Sequence, residues 1–201
     1  MSDNARLVKR HIHLKRRKVD ARVRKTRDAL GDALVTLMQE KPFDSIRVQD
    51  VLDRAQVGRS TFYTHYSDKD DLLMSDADEF FESISMVLSA HGDQSERVFP
   101  VKEFFLHLVD AQQFIVALKS SGKMLENLEL AQAHFARGIE RRLSELPRGS
   151  KIPAQERPAI AFAHAGALVS LMRWWIDRGM KEPAEEMDRI FHRIVWGVAK
   201  P

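Results

Sequence analysis

The sequence predicts an all-α fold of about nine helices, and three features carry that expectation. Apolar residues recur at i, i+3, i+4 and i+7 in nearly every long segment. No stretch alternates with the period of two that a half-buried strand needs, and no internal repeat competes. Proline falls at or near the ends of the periodic segments, dividing the chain into pieces of helical length. The pieces sort into a basic arm over residues 1–19, a three-helix domain over 20–67 and a larger helical domain over 68–201.

Met1 to Lys18 has no clear apolar period, and its runs KRHIH and KRRK read as an arm that could track phosphates or enter a minor groove. His11 and His13 lack a third ligand, so no metal site is expected there. Asp20 is a candidate cap for a first helix to Lys41, in which Leu30, Ala33, Leu34, Leu37 and Met38 form the core stripe. Pro42 stops it and Phe43 plugs the corner. Asp44 and Ser45 are candidate caps for a short helix with Ile46, Val48, Val51, Leu52 and Ala55 inward. Gln56-Val57-Gly58 makes a turn. A second short helix follows, with Val57 and Phe62 pointing back to the core. Ser67-x-x-Asp70 fits a capping box for a fourth helix that runs to about His91.

Gly92 and Pro100 bracket a loop. Val101, Phe104, Phe105, Leu108 and Val109 make the next stripe, and Phe114, Ile115 and Leu118 continue it in a short helix. Lys123 to Leu146 is a long helix with Leu128, Ala131, Phe135, Ile139 and Leu143 near one face. The next helix runs from about Ala154 to Arg178, with Pro158 near its first turn and Gly179 as its stop signal. Pro183, Glu185 and Glu186 suit the start of the last helix, where Met187, Ile190, Phe191, Ile194, Val195 and Val198 repeat.

The 201 residues are 44% apolar and 30% charged, with no cysteine, which removes disulfide and thiolate-metal readings. The longest nearly apolar run, Ala159 to Met172, is shorter than the ~20 residues a membrane span needs and reads as a buried helix. No secretory h-region is visible, so the expectation is a cytoplasmic protein without a membrane partner. Net charge is +3, unevenly placed: residues 1–71 hold 16 Lys+Arg against 11 Asp+Glu, and residues 1–27 hold 11 against two. A basic front and a mildly acidic remainder suit a phosphate-facing domain joined to a body.

The second short helix carries Arg59, Ser60, Thr61, Tyr63, Thr64 and His65, and no acid lies between Arg54 and Ser67. Two short helices joined by a tight turn, the second lined with donors, have the shape of a helix-turn-helix that enters the major groove. Arg59 can take guanine O6 and N7 in a bidentate pair, and Ser60 and Tyr63 reach base edges or the phosphate rim. Lys69 and the free N–H groups of the fourth helix's first turn would face a phosphate.

Arg47 to Tyr66 resembles the helix-turn-helix of the tetracycline-repressor-like (TetR/AcrR) transcriptional regulators. The shared pattern runs Val48-Gln49-Asp50-Val51, Ala55-Gln56-Val57, Thr61-Phe62-Tyr63-Thr64-His65-Tyr66 and Lys69-Asp70-Asp71-Leu72-Leu73. Close resemblance spans roughly Lys25 to Met74; beyond it, length and helical pattern match. The resemblance implies phosphate contacts by Thr61 and His65. Three departures bear on sequence preference. Gly58 stands where the family often has a serine cap, so its backbone N–H would meet a phosphate. Gln56 replaces a usual turn glycine, at some cost in strain. Arg47 replaces a frequent threonine and adds a charge near the backbone.

One recognition helix reads few base pairs, so a dimer spanning two half-sites about 34–36 Å apart is expected. Small residues around Gly166 and the large side chains of Trp174, Trp175, Phe191 and Trp196 make the last two helices the candidate interface. The Arg173-Trp174-Trp175 and Pro183-to-Met187 runs also look like the C-terminal domain of many such regulators. A ligand pocket is implied by the resemblance. Its candidate walls are Phe104, Phe105, Phe114, Met124, Leu128, Phe135 and Phe162, with His107, His134 and His164 as polar points.

The expected function is a dimeric, ligand-responsive regulator, most often a repressor, binding a palindromic double-stranded DNA operator and released by a small apolar effector. The first rival keeps the fold but acts through a protein partner, with weak or no DNA binding. The second is an enzyme, but no G-x-S-x-G, H-E-x-x-H, phosphate-loop or dinucleotide fingerprint is present. No cofactor or metal is expected.

Overall fold

The computed structural model describes residues 21–197, so the basic arm over residues 1–19 and the Asp20 cap lie outside the described residues. Those residues form nine α-helices and no strand. The helices are α1 Ala21–Glu40, α2 Val48–Ala55, α3 Arg59–His65, α4 Lys69–Ala90 and α5 Val101–Asp110. Then come α6 Gln112–Ser120, α7 Met124–Glu145, α8 Arg157–Asp177 and α9 Ala184–Trp196, with 3-10 turns at Phe43–Ser45 and Gly149–Lys151. The chain divides into two compact units. One holds residues 21–79 and Ala111–Asn127, the other Phe80–Asp110 and residues 128–197. This grouping departs from the expected line between residues 67 and 68.

The first unit is built on the α1 stripe. Leu30, Ala33, Leu34, Leu37 and Met38 are all buried, together with Phe43, Ile46, Val51, Leu52, Phe62, Tyr66, Leu72 and Leu73. Each buried Leu, Ile, Val, Met or Phe among them contributes roughly 1.5–3 kcal/mol on leaving water. Ala117 and Leu118 of α6 belong to the same core, and Phe114 and Met124 pack against it. Segment Ala111–Asn127 is therefore part of the helix-turn-helix body, a membership with no periodic signature in the sequence.

The helix starts differ in detail from the expected caps. Asp44 and Ser45 sit in the 3-10 turn, and α2 is instead capped from its third residue: Asp50 Oδ2 accepts the Arg47 N–H at 2.9 Å. At α4 the cap is one residue later than Ser67. Asp68 Oδ1 accepts the Asp71 N–H at 2.8 Å, while Asp71 accepts the Ser67 N–H at 2.8 Å.

The second unit has an aromatic core. Phe99 lies 4.6 Å from Phe135 between ring centroids, Phe104 5.1 Å from Phe135, and Phe105 4.7 Å from Trp175. A Cβ on Gly138 of α7 would stand 2.9 Å from the Ser85 backbone oxygen, so glycine permits the close approach of α4 and α7 there. The loop before α5 is stitched to α9. Arg97 pairs with Asp188 at 2.9 Å, the Val98 N–H donates to His192 Nε2 at 3.0 Å, and Trp196 Nε1 donates to Glu96 O at 2.8 Å. Arg142, buried on α7, donates to the carbonyls of Arg97 at 3.0 Å and Ser95 at 2.9 Å.

Helix α8 is less buried than the buried helix read from its apolar run. It has 21 residues and is long and apolar enough, by length and composition, to cross a membrane, yet only 33% of its most apolar window is buried. Ala161, Ala165, Leu168, Val169, Met172 and Trp175 face the unit, and Phe162 and Trp174 face outward. The inward residues fall at helical spacing, and large apolar groups stand on the second face as well.

Candidate nucleic-acid interface

Helices α2 and α3 meet through a turn whose hinge is Gln56. Its φ of 54° and ψ of 43° put a non-glycine residue in the left-handed region, the strained turn expected from the sequence. The side chain offsets part of that cost by donating to Asp53 O at 2.6 Å. Gly58 then opens α3 in an extended conformation with no side-chain cap, which leaves the first backbone N–H groups of α3 without a hydroxyl partner.

Phe62 holds α3 in place. It is fully buried, edge-on to Tyr63 at 5.3 Å and tilted against Tyr66 at 5.7 Å. Tyr66 OH accepts from Arg27 Nε at 2.9 Å, and Arg27 pairs with Glu79 at 2.7 Å, so α1 grips the end of α3. With Phe62 inward, Arg59, Ser60, Thr61, Tyr63 and Thr64 are exposed and His65 is half-buried. Tyr63 is 51% exposed. Thr64 is exposed and donates its hydroxyl proton to Ser60 O at 2.9 Å. The side chains of Arg59, Ser60 and Thr61 make no hydrogen bond or ion pair among the described residues.

The rim of the site is set by ion pairs that the sequence reading missed. Lys41 reaches Asp50 at 2.7 Å, and Arg54 pairs with Glu40 through two hydrogen bonds of 2.8 and 2.7 Å, tying α2 to the end of α1. Lys41 first, then the Arg47 N–H, hold the Asp50 carboxyl far below the usual range. Lys41 and Asp50 lie nine residues apart across Pro42, a separation no helical period marks. Arg47, at the start of α2, keeps a side chain 81% exposed with Asp50 3.3 Å away. Lys69 also supports the turn before α2. Its ammonium donates to Phe43 O at 2.7 Å and Ile46 O at 2.9 Å, and lies 4.3 Å from the Phe43 ring centre.

The residues expected to line a ligand pocket do not all fall together. Phe114 and Met124 pack on the helix-turn-helix core. Phe104, Phe105 and Phe135 are fully buried against one another in the second unit, with Leu128 also buried. His107 stacks on Phe80 at 4.4 Å, and His134 is buried 6.4 Å from Phe81. His164 is half-buried on α8, where burial pushes its pKa down. Phe162 is 58% exposed, and so is not a wall of the buried aromatic cluster.

The expected interface residues also divide. Trp174 is 45% exposed, with Arg178 5.1 Å over its ring. Trp175 is 1% exposed and donates its indole N–H to Glu182 O at 2.9 Å, and Phe191 is fully buried. Both are core residues in this fold, and the 100° between consecutive helix positions puts Trp174 and Trp175 on different faces. Gly166 is half-buried beside Gln132. Trp196 is held by Glu96 and by Arg148, whose guanidinium lies 4.7 Å from the indole centre.

Residues 30–75 match the bacterial regulatory proteins of the tetR family, and residues 101–197 match a transcriptional regulator C-terminal region. Over 187 residues the chain is 25% identical to the uncharacterized HTH-type transcriptional regulator YxbF of Bacillus subtilis (strain 168). That match covers 88% of this chain and 46% of YxbF, so the chain spans about half the length of that curated relative. Among solved structures, a TetR transcriptional regulator from Streptococcus agalactiae 2603V aligns with a TM-score of 0.58 at 25% identity, covering 88% of this chain and 96% of that one. The dihydroxyacetone kinase operon activator DhaS shares the fold, with a TM-score of 0.61 at 19% identity over 85% of this chain and 94% of its own. The match thus extends past the helix-turn-helix, where the motif resemblance ended, into the helical body, and the chain belongs to the tetR family of transcriptional regulators.

Proposed function

We propose that the protein binds a palindromic operator as a homodimer and is released by a small apolar effector. The observation that carries the DNA-facing part is the outer face of α3. Arg59, Ser60 and Thr61 are exposed without a partner among the described residues, Tyr63 is half out, and no carboxylate lies between Arg54 and Ser67 in the sequence. Donors in a neutral to positive field are what base edges and phosphates need. Arg59 reads guanine, Ser60 and Tyr63 reach base edges or the rim, and Thr64 offers its methyl group to a thymine. Thr61, His65, the exposed Arg47 and the uncapped N–H groups at Gly58 meet the backbone.

The dimer reading rests on the outward faces of α8 and α9. Phe162, Trp174 and Ile194 are large and 58%, 45% and 43% exposed. Phe162, Gly166, Ser170 and Trp174 fall four residues apart, along one line of α8. Two large apolar groups flanking two small residues suit a helix-on-helix contact between copies. Two half-sites then compensate for the short reading length of α3.

The effector reading rests on the aromatic character of the second unit. An apolar molecule that lodges among Phe104, Phe105 and Phe135, with His107, His134 and His164 as polar points, would favour a packing of that unit different from the closed one. The fourth helix, which runs on from the helix-turn-helix unit, carries the change in spacing. DNA affinity then falls by the differential binding energy, ~1–3 kcal/mol.

Selection of bound sequences from random duplex DNA, with the protein's mass in solution checked alongside, tests this reading. A palindrome enriched by a dimer supports it. No enrichment from a folded dimer at low and moderate salt contradicts it and favours regulation through a protein partner.

A further inference from the structure

The peptide bond between Arg97 and Val98, in the loop from α4 to α5, is gripped at both ends. Its carbonyl accepts Arg142 Nε at 3.0 Å, and its N–H donates to His192 Nε2 at 3.0 Å. An amide N–H can only donate, so Nε2 is a bare acceptor and the ring proton sits on Nδ1, 2.8 Å from Asp188 O. This geometry calls for the neutral ring. The guanidinium polarises the carbonyl and so strengthens the N–H as a donor to it. Asp188, His192 and Trp196 stand four residues apart along α9. Each holds the same loop: Asp188 pairs with Arg97 at 2.9 Å, and Trp196 Nε1 donates to Glu96 O at 2.8 Å. Of these three residue types, only histidine ordinarily changes charge between about pH 5 and 8.

We propose that His192 is a proton-sensitive latch on the loop over residues 92–100. Protonation at Nε2 replaces the acceptor with a second donor facing the Val98 N–H, and a buried donor left without a partner costs free energy. The charged ring keeps Asp188, whose Oδ2 is 3.3 Å from Nδ1, and gives up Val98. The other charges around it are committed elsewhere. Asp188 Oδ1 also accepts the Lys102 N–H at 3.1 Å, and Arg97 also pairs with Glu103 of α5. The Lys102 ammonium pairs with Glu185 at 2.9 Å, Glu186 pairs with Arg189, and Arg193 is exposed. Arg142 of α7 pairs with Glu145 at 3.3 Å and Asp93 at 3.5 Å. His107 of α5 stacks on Phe80, and on α8 Arg157, His164, Arg173 and Asp177 make no hydrogen bond or ion pair with His192. What the latch closes is the aromatic core. Val98 and Phe99 are buried, and Phe99 lies 4.6 Å from Phe135 and 6.3 Å from Phe104. Release of the peptide bond one residue before Phe99 frees that ring to leave its neighbours. Acid thus opens the second unit at this loop, and the latch needs neither DNA nor an effector to work.

Amide hydrogen exchange of the wild type at about pH 8 and pH 5, each corrected for the intrinsic rate, reads the latch. Protection of the Val98 amide should fall about tenfold at the lower pH, while amides in the middle of α7 keep theirs. Carboxylates ordinarily titrate near about pH 4, below this window. The remaining histidines are controlled by His192→Gln, whose Oε1 takes the place of Nε2 as an acceptor that does not titrate. That variant should hold Val98 equally at both pH values. Equal protection of Val98 in the wild type at both would overturn the latch, and so would the same acid loss in His192→Gln. If the variant does not fold, nitrogen NMR of the wild-type ring decides. At about pH 8 the ring should show the Nδ1–H tautomer and a coupling from Nε2 to the Val98 N–H, lost at about pH 5 as the second proton arrives. A charged ring at the higher pH, or a coupling that survives at the lower one, would overturn the proposal.

Discussion

Two arginines show how differently the two units use charge. Arg142, buried in the body, is surrounded by acceptors: the carbonyls of Arg97 and Ser95, that of Asp93, and the Glu145 carboxylate at 3.3 Å. Arg59, on α3, is exposed and meets none among the described residues. A guanidinium taken out of water needs its donors filled, so the buried one is committed to holding a loop. The exposed one keeps its planar fork available, and a neighbourhood without acids leaves it no competing partner. The lesson is that the type of residue said little; the supply of acceptors within reach separated the two roles.

The adjacent tryptophans of α8 offer the largest effects by which to break that contrast between committed and available side chains. Trp175→Ala should cost about 3–5 kcal/mol of folding stability, read from urea denaturation, because it empties a site packed against Phe105. Trp174→Ala should leave unfolding nearly unchanged and weaken the dimer by about 2 kcal/mol, read by sedimentation equilibrium. Equal effects of the two would erase the distinction. Next comes Arg59→Ala. It should lose about 1–3 kcal/mol at one base step in each half-site without lowering stability, measured by titrating operator variants. Uniform weakening on every sequence would contradict base readout.

A smaller effect follows from Asp188. Burial pushes its carboxyl up, but His192, the Arg97 guanidinium and the Lys102 N–H outweigh it, and the net shift is downward. A carboxylate with a depressed folded pKa adds stability above its unfolded value of about 3.9 and loses it as pH falls through the lower folded value. Urea midpoints at pH 7, 4 and 3 should therefore fall between the last two, and fall less for Asp188→Asn; parallel declines would remove the residue from the acid response. The smallest effect is at the turn. Gln56→Gly should gain about 0.5–1 kcal/mol by relieving the positive φ, seen as a higher thermal midpoint.

Much of this was legible in the residues. The Leu30-to-Met38 stripe, the inward Phe62, the bare Gly58 and the strain at Gln56 all follow from local period and turn chemistry, and the structure agrees. Contacts distant in sequence were not legible. Nothing local announces that Ala117 and Leu118 complete the core begun at Leu30, or that Lys69 faces Phe43 O, 26 residues away. The same limit applied to α9, which carries apolar groups on more than one face. Only the placement of α5 decides that Phe191 is interior, and only the loop at Glu96 gives the Trp196 indole its acceptor.

That shared core has a consequence for how such a regulator can be recombined. Joining the first 67 residues to a foreign body would sever Leu72 and Leu73, and with them Ala117 and Leu118, from the cluster that supports Phe62. The reading head is not a detachable cassette. A working graft would have to carry segment Ala111–Asn127 along with it, although that piece is separated in the chain by Phe80–Asp110 of the other unit. Exchange of operator preference between relatives is then easier by point changes on the outer face of α3 than by crossover between genes. Drift in α6 becomes a constraint on the DNA-facing helices it never touches in sequence.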